Sequence, residues 1–432
     1  MTVVAVDDTD SRERGMCTTY LAARIATRLR DRQYEHAGRD AVERALLVRL
    51  NPAIEHKTRG NAALAVHTSV GPDRALACAR EELDAAETDD PNTHPGLVVA
   101  SGDPDDVPGP VGRFAREAMR DRHDLEDALE LIDAHGYRAE GWKTGRGRIG
   151  ALAAVGAWRA LEDWTYEHIA YREPRRRGTP REVDRESVFA AADRGYPDIW
   201  DTVDRIEGEA VCVPHTPGPV LYGIRGDDPD ATQSAAADIT SEPIERSRLF
   251  VTNQGTDAHL RDGHLGDLRD GRSYRVSGTV RESPETREGG HVFVTIAERA
   301  ATDAGATLYC AAFEPTKRFR DRVRALRVGD RITVCGEVSA GTLKLEKFAV
   351  RHLCRTERVI PTCPDCGRSM ESAGADQGYR CRDCGTEREQ KATREIDRGL
   401  EPGWYEVPPC ARRHIAKPLV RGGFDAPVHP ER

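Results

Sequence analysis

Residues Val3–Tyr20 read VVAVDDTDSRERGMCTTY, and the rest of the chain is interpreted from them. Val3-Val4-Ala5-Val6 is short, apolar and β-branched, the signature of a buried strand. Three carboxylates, Asp7, Asp8 and Asp10, fall in the next four residues. A polar loop leads to Gly15-Met16-Cys17-Thr18-Thr19, and a helical pattern follows to Leu29. Carboxylates at a strand's C-terminal end can hold Mg²⁺, which keeps several waters and bridges phosphates. A helix start offers free N–H groups and a positive dipole end to an anion. The two features make a cradle for a nucleoside triphosphate. The plain alternative is a solvated acidic loop with Thr18 as a helix cap.

Further along, strands are predicted at Ala45–Leu50, Ala62–His67 and Leu97–Ala100, and helices at Thr18–Leu29 and Asp73–Ala86. With Val3–Val6 they form the split βαβ order of ferredoxin-like domains. Between the second and third strands runs a basic loop, Arg49 to Asn61, carrying Lys57, Arg59, Gly60 and Asn61. Its cations can neutralise phosphate or simply face solvent. Helical patterns follow at Val111–Met119, Leu125–Ala134 and Ile149–Trp158. The last is preceded by Gly145-Arg-Gly147-Arg-Ile-Gly150, formally G-x-G-x-x-G. A dinucleotide reading needs a strand before it, and Gly136–Thr144 does not read as one, so NAD binding is rejected. The arginine-bearing glycine turn can hold phosphate at a helix start or serve as a connector.

A second α+β stretch repeats the order. Strands are predicted at Thr165–Tyr171, Ala210–Val213, Val220–Arg225 and Arg248–Asn253, and helices at Glu186–Arg194 and Ala231–Thr240. It ends in Asn253-Gln254-Gly255-Thr256-Asp257-Ala258-His259, which suits a polar substrate or an Asx-turn leading out of the domain. Beyond it lie five predicted strands, Tyr274–Arg281, His291–Glu298, Thr307–Ala312, Asp330–Glu337 and Thr342–Val350. A helix, Lys317–Leu326, falls between the third and fourth, which describes an OB-fold. Such barrels bind single strands through basic and aromatic side chains. Here Phe293, Tyr309, Phe313, Phe319 and Phe348 alternate with Arg281, Arg299, Lys317 and Lys347, and some of the rings must be core.

Cys363-Pro-Asp-Cys366 and Cys381-Arg-Asp-Cys384 then give C-x₂-C-x₁₄-C-x₂-C, a zinc spacing. Two knuckles supply the four thiolates of a tetrahedral structural Zn²⁺; disulfides are disfavoured in a cytoplasmic chain. The tail from Thr393 to Arg432 carries weak signals and is expected to be ordered in part by docking.

Composition bounds the class. A chain of 432 residues implies roughly two to four domains. No apolar run approaches about 18 residues, so no membrane span is expected. The first residues do not read as a signal peptide, so a cytoplasmic location is expected. The formal charge of −9 does not advertise a nucleic-acid binder. Only seven of the 64 basic residues are lysine. Abundant acids with few lysines look like adaptation to high salt, although a GC-rich genome also enriches arginine. In high salt counterion release contributes little, and RNA recognition would rest on stacking, shape and buried ion pairs.

The motifs in combination resemble the archaeal tRNA(Ile) agmatinylcytidine synthetase family, TiaS. They are Asp7-Asp8-Thr9-Asp10-Ser11, Gly15 to Thr19, Val48 to Pro52, Lys57 to Asn61, Gly145-Arg-Gly147 through Ala154, Gly218 to Gly226, and Thr252 to Asp257. One departure is Glu55-His56, where the family pattern has Pro-Trp. The resemblance implies an α+β multidomain protein: a kinase-like ATP-binding catalytic domain over 1–158, a ferredoxin-like domain over 159–262, an OB-fold β-barrel over 270–355, a zinc ribbon over 358–390 and an extension over 391–432. It implies ATP-dependent joining of agmatine to C2 of the wobble cytidine of tRNA-Ile with anticodon CAU, after phosphorylation of the C2 oxygen. It also implies Asp7, Asp8, Asp10 and Thr18 as catalytic residues, Thr18 being the threonine that the family phosphorylates on itself. ATP and phosphate would meet Gly15, Thr19, Lys57, Arg59, Gly60, Asn61, Gly145 and Gly147, with Mg²⁺. Agmatine's guanidinium needs a carboxylate. Asp257, the only one in its cluster, is expected to hold it, with Asn253 and Gln254 at the amine and His259 taking a proton. Zn²⁺ on Cys363, Cys366, Cys381 and Cys384 would be structural, and no obligate protein partner is expected. The alternative is a non-catalytic single-strand-binding protein using the barrel and ribbon. The acid cluster beside Gly15–Thr19 speaks against it, because binding RNA needs no carboxylates.

Overall fold

The structure is a computed structural model. It describes residues 1–11, 15–30, 41–55, 57, 60–86, 88–298, 305–413 and 415–432. The first half contains β1 (Thr2–Asp7), α1 (Thr18–Arg28), β2 (Val42–Arg49), β3 (Ala62–Thr68), α2 (Pro72–Leu83), β4 (Gly96–Ser101), α3 (Gly109–Ala118), α4 (Leu125–Ala134), β5 (Arg138–Gly141) and α5 (Arg148–Ala160). The second contains β6 (Thr165–Arg172), α6 (Arg185–Gly195), β7 (Ile199–Trp200), β8 (Val220–Gly226), α7 (Pro229–Ala237) and β9 (Ile244–Thr252).

The two halves share one nine-stranded sheet in the order β5-β4-β1-β3-β2-β9-β6-β8-β7. Each contributes its four principal strands in the same permuted order, fourth-first-third-second. The join is parallel pairing of Leu46 and Leu47 on β2 with Val251 and Thr252 on β9. β1 pairs antiparallel with β3 and β4 on either side and is buried through Val6, so its C-terminal end opens inside the body. Its side chains alternate between two cores. Val4 and Val6 pack under α1 and α2, while Val3 and Ala5 pack under α3 and α5.

Two elements differ from the sequence expectation. Residues 210–213 form a turn, with the Val213 N–H donating to the Ala210 carbonyl; the strand lies earlier, at Ile199–Trp200. Residues 138–141, rejected as a strand, pair antiparallel at the sheet edge with β4. Strands of two and four residues are too short to show the apolar run or alternation that marks a strand in sequence.

After β10 (Leu260–Asp262) come β11 (Arg272–Val280), β12 (Glu285–Thr286), β13 (Val292–Ala297), β14 (Thr307–Ala312), α8 (Phe319–Arg324), β15 (Arg331–Ser339) and β16 (Thr342–His352). The pairings β11–β13, β13–β14, β14–β16, β16–β15 and β15–β11 close a five-strand barrel, with β14–β16 parallel. Phe319 and Phe348 fill its interior. Arg299 lies outside the described residues. β17 (Thr356–Val359), β18 (Glu371–Ser372), β19 (Tyr379–Arg380), β20 (Glu387–Arg388) and β21 (Ala392–Glu395) build the small ribbon. The tail then returns as β22 (Gly403–Glu406), which adds to β16, and β23 (Val428–His429), which adds to β22. Arg412 lies buried between Asp201 and Glu406, and Arg421 reaches Asp163 and Asp227. The weakly patterned tail is therefore a strap binding the barrel to the second half of the sheet. No helix among the described residues is long and apolar enough to cross a membrane.

Candidate active site

The end of β1 and the start of α5 are pressed together, and glycine permits it. A Cβ on Gly150 would lie 1.9 Å from Asp7 Oδ2, and one on Gly147 would lie 2.6 Å from the Asp7 carbonyl oxygen and 2.5 Å from the Gly96 nitrogen. These glycines therefore let a helix approach a strand. A Cβ on Gly145 would lie 3.0 Å from the Gly141 Cα, so Gly145 packs on the sheet edge and does not line the cavity described below. Arg146, between the glycines, donates from Nε to Asp8 Oδ2 at 2.7 Å. Asp8 itself has φ 55°, turning the chain out of the strand.

Burial drives the Asp7 carboxyl well above its ordinary range, and the charges of Asp8 and Asp10 push it further. Burial also raises Asp8, against the pull of Arg146. Opposite them, α1 begins with Thr18 and Thr19, both buried, after Cys17, whose Sγ lies 3.1 Å from Thr19 Oγ1. Gly15 packs against Gly218 rather than lining the site.

These groups bound a cavity of about 440 Å³ between the two halves of the sheet, a size suited to a small ligand. Asp7, Asp8, Asp10, Thr18, Thr19, Lys57, Gly60, Asn61 and Gly147 line it. Arg59 lies outside the described residues. From the other half come Glu167, Ile169, Val220 and Arg225, and Arg49 stands at the seam. Glu167 Oε1 accepts from Arg225 Nε at 3.3 Å, and its Oε2, 3.7 Å from Arg49 Nη2, receives no hydrogen bond from the described residues. The sequence reading passes over Glu167. Its signal is alternation, since it shares the buried face of β6 with Thr165 and Ile169.

Asp257 corrects the expectation placed on it. Its two oxygens accept from Lys347 Nζ at 2.9 and 2.8 Å, and Oδ1 also accepts from the Lys417 N–H. Asn253 closes the seam, accepting from the Arg49 N–H at 2.7 Å and donating to its carbonyl at 3.0 Å. His259 is fully buried, which pushes its pKa down to about 4. None of the three lines the cavity. The turn is a joint, because a buried lysine needs a counter-charge and this aspartate supplies it.

The ligand atoms of Cys363, Cys366, Cys381 and Cys384 all lie within 4.8 Å of one another. Four converging thiols fit tetrahedral Zn²⁺. The acids of the cavity form no such cage; the cysteine set is the only group of its kind among the described residues. One or two carboxylates with open positions are instead how Mg²⁺ is commonly held, with substrate phosphates completing its shell.

A body with a half-buried acid cluster in a cavity between its halves, plus an appended barrel and ribbon, is the build of a multidomain enzyme acting on a large substrate. Residues 3–77 match the family model of the TiaS TCKD domain, 145–259 that of the TiaS FLD domain, and 360–400 that of the TiaS C-terminal zinc ribbon domain. TiaS of Haloquadratum walsbyi, the 2-agmatinylcytidine synthetase of the second isoleucine tRNA, is 57% identical, over 100% of both chains. The crystal structure of TiaS in complex with that tRNA and ATP superposes with a TM-score of 0.87 at 41% identity, covering 100% of this chain and 99% of that one. A complex of TiaS with the tRNA, AMPCPP and agmatine does so with a TM-score of 0.84 at 39% identity, covering 100% and 99%. The chain belongs to the TiaS family of tRNA(Ile) 2-agmatinylcytidine synthetases.

Proposed function

We propose that the chain uses ATP to join agmatine to C2 of the wobble cytidine of tRNA-Ile with anticodon CAU, acting in the cytoplasm where that tRNA is used. The carrying observation is the acid cluster at the end of β1, facing Thr18 and Thr19 across the cavity. A protein that only bound RNA would gain nothing from carboxylates held at the cost of burial. The C2 oxygen of cytidine is a poor leaving group. It takes a phosphoryl group from ATP, and agmatine's neutral amine then adds at C2 as phosphate departs with that oxygen.

Lys57 and the backbone at Gly60 and Asn61 would hold ATP phosphates, and Asp7, Asp8 and Asp10 would align the transfer. Mg²⁺, bound through one or two of these acids, would neutralise charge developing on the phosphates. Thr18, on the same cavity, is the natural acceptor for self-phosphorylation. Glu167 is the better acid for agmatine's guanidinium, since it faces the cavity with an oxygen that no hydrogen bond from the described residues reaches. The body would comprise a kinase-like domain over 1–158 and a ferredoxin-like domain over 159–262. An OB-fold over 270–355, a zinc ribbon over 358–390 and the extension over 391–432 would grip the tRNA. The test is incubation with ATP, labelled agmatine and transcripts of tRNA-Ile(CAU) and of a methionine tRNA with the same anticodon. Label should enter the first alone, and no label in either would overturn the reading. Protein purified without chelator should contain one zinc per chain by elemental analysis.

A further inference from the structure

One wall of the cavity holds a carboxylate surrounded by more positive charge than it can balance. Glu167 on β6 lies directly across from Arg225 on β8. Gly223 leaves room for it, since a Cβ there would lie 2.9 Å from Glu167 Oε1. Arg49 reaches the same carboxylate from the end of β2, across the seam between the two halves. All three line the cavity, and their side chains are 5%, 21% and 13% exposed for Glu167, Arg225 and Arg49. Two guanidinium groups therefore share one carboxylate. Arg181, also on this wall, offers no further acid; its donors go to the carbonyl oxygens of Val220, Pro214 and Thr216.

The contacts are loose as well as unbalanced. Arg225 Nε donates to Oε1 at 3.3 Å, and its guanidinium makes no other hydrogen bond among the described residues. Arg49 Nη2 stands 3.7 Å from Oε2. Elsewhere the same chain builds tight, forked pairs in its interior. Arg172 grips Glu242 at 2.7 and 2.9 Å, and Arg398 grips Asp330 at 2.8 and 2.7 Å. A forked pair is stronger than one stretched bond, so the Glu167 contacts are the ones a competing ion can displace. Burial disfavours the Arg49 cation, Glu167 favours it, and Arg225 disfavours it again; a second anion on this wall would offset the imbalance. The arginine fork matches phosphate as well as carboxylate. Arg49 also lies within electrostatic reach of Cys17, the residue before α1, whose first turn has no side-chain cap and lines the same cavity. The field there favours an anion too.

We propose that Arg49 and Arg225 form a phosphate subsite, and that a phosphate bound there draws both arginines off Glu167 and leaves its carboxylate to agmatine's guanidinium. The inference rests on the proposed function, because it takes Glu167 as the guanidinium's partner. It gives the reaction an order, since agmatine is held firmly only once a phosphate is in place.

The test is titration of agmatine into the full chain at matched ionic strength. It is run with no addition, with inorganic phosphate, with AMPCPP and Mg²⁺, and with the tRNA-Ile(CAU) transcript. Phosphate in the subsite should tighten agmatine binding about 5- to 150-fold, and agmatine should tighten phosphate binding by the same factor, because coupling between two bound ligands is reciprocal. The effect with inorganic phosphate or AMPCPP assigns the subsite to the nucleotide's phosphates; the effect with the transcript alone assigns it to the RNA backbone. Arg225→Met removes the fork and keeps the bulk. It should bind agmatine more tightly than the parent does without an anion, and its coupling should fall to within about twofold, with a thermal melt confirming the fold. The reciprocal coupling is read on the parent chain, so the test stands even where the variant does not fold. No coupling in the parent with any of the three additions, or full coupling in Arg225→Met, overturns the subsite. Glu167→Gln and agmatine transfer are measured beside these. Agmatine affinity unmoved by Glu167→Gln, or no transfer by the parent, would refute the proposed function. Transfer with a Glu167-dependent affinity but no phosphate coupling refutes only this inference.

Discussion

Two strands at the middle of the body end in acid-bearing turns of the same local shape, and they have opposite fates. After β1, Asp8 sits at φ 55°; after β9, Asp257 sits at φ 62°. Each turn is rich in small polar residues; the first follows a buried strand and the second a strand that is buried only near its end. At the first, the Asp7 carboxyl is buried against α5 with acids for neighbours, and its charge is disfavoured. At the second, the ammonium of Lys347, itself 1% exposed, settles between the carboxylate oxygens. A buried acid without full compensation stores destabilisation that a ligand can relieve. An acid matched to a buried cation is a structural joint, and removing one partner is the expensive step.

The largest effect should come from Asp8→Asn, which keeps the shape and removes a charge at the proposed phosphate end. Agmatine transfer should fall about a hundredfold to a thousandfold with circular dichroism unchanged; near-normal turnover would erase the contrast between the turns. Gly150→Ala sharpens it from the helix side. Its methyl would collide with Asp7, so transfer should drop by about a hundredfold through misplacement alone, measured beside a thermal melt that confirms folding.

The next pair separates the turns by stability. Asp257→Asn strands a buried lysine and should cost about 3 kcal/mol, read as a lowered Tm, while the agmatine KM stays put. A raised agmatine KM with an unchanged Tm would restore Asp257 to the ligand. Asp7→Asn should do the reverse, raising Tm while abolishing transfer. The raised Asp7 pKa means the folded state holds its proton longer than the unfolded one. Stability is therefore lost as pH climbs from the ordinary carboxylate range through the raised value, and the amide removes that loss.

The smallest effect concerns the strap beside Asp257. Burial raises Glu406 to about 7 from 4.5, with Arg412 pulling the other way. By the same sign, its contribution weakens as pH rises across that window. Glu406→Gln should flatten this part of the Tm–pH curve by a few degrees at most, and an unaltered curve would show that the Arg412 pair keeps the carboxylate charged throughout.

Much of the candidate site is legible in the chain because its signals are local. β1 and α1 announce themselves by β-branching and period, the acids by adjacency, and the ribbon by the spacing of Cys363, Cys366, Cys381 and Cys384. Within the barrel, Thr307–Ala312 is predicted at the bounds observed, since alternation over a half-buried sheet is strong patterning. The fates of individual polar residues are not legible. Sequence places Phe319, Phe348 and Lys347 with Tyr309 as surface candidates, yet the first three are buried. Gly147 and Gly150 read as a phosphate turn, and while both line the cavity, their lack of a side chain also permits the approach of α5 to β1. Glu167 and Arg225 read as ordinary strand residues until β2 and β9 join the halves and bring them to the cavity.

Most of the order of elements, the acid cluster, the thiol set and the family can be read from the unfolded string of residues. Each is written within a few positions by propensity, period or ligand spacing. Which acid is free to serve a ligand is settled by folding alone. That depends on whether a cation arrives from far along the chain, as Lys347 does for Asp257 across 90 residues, and no local pattern encodes such a partner.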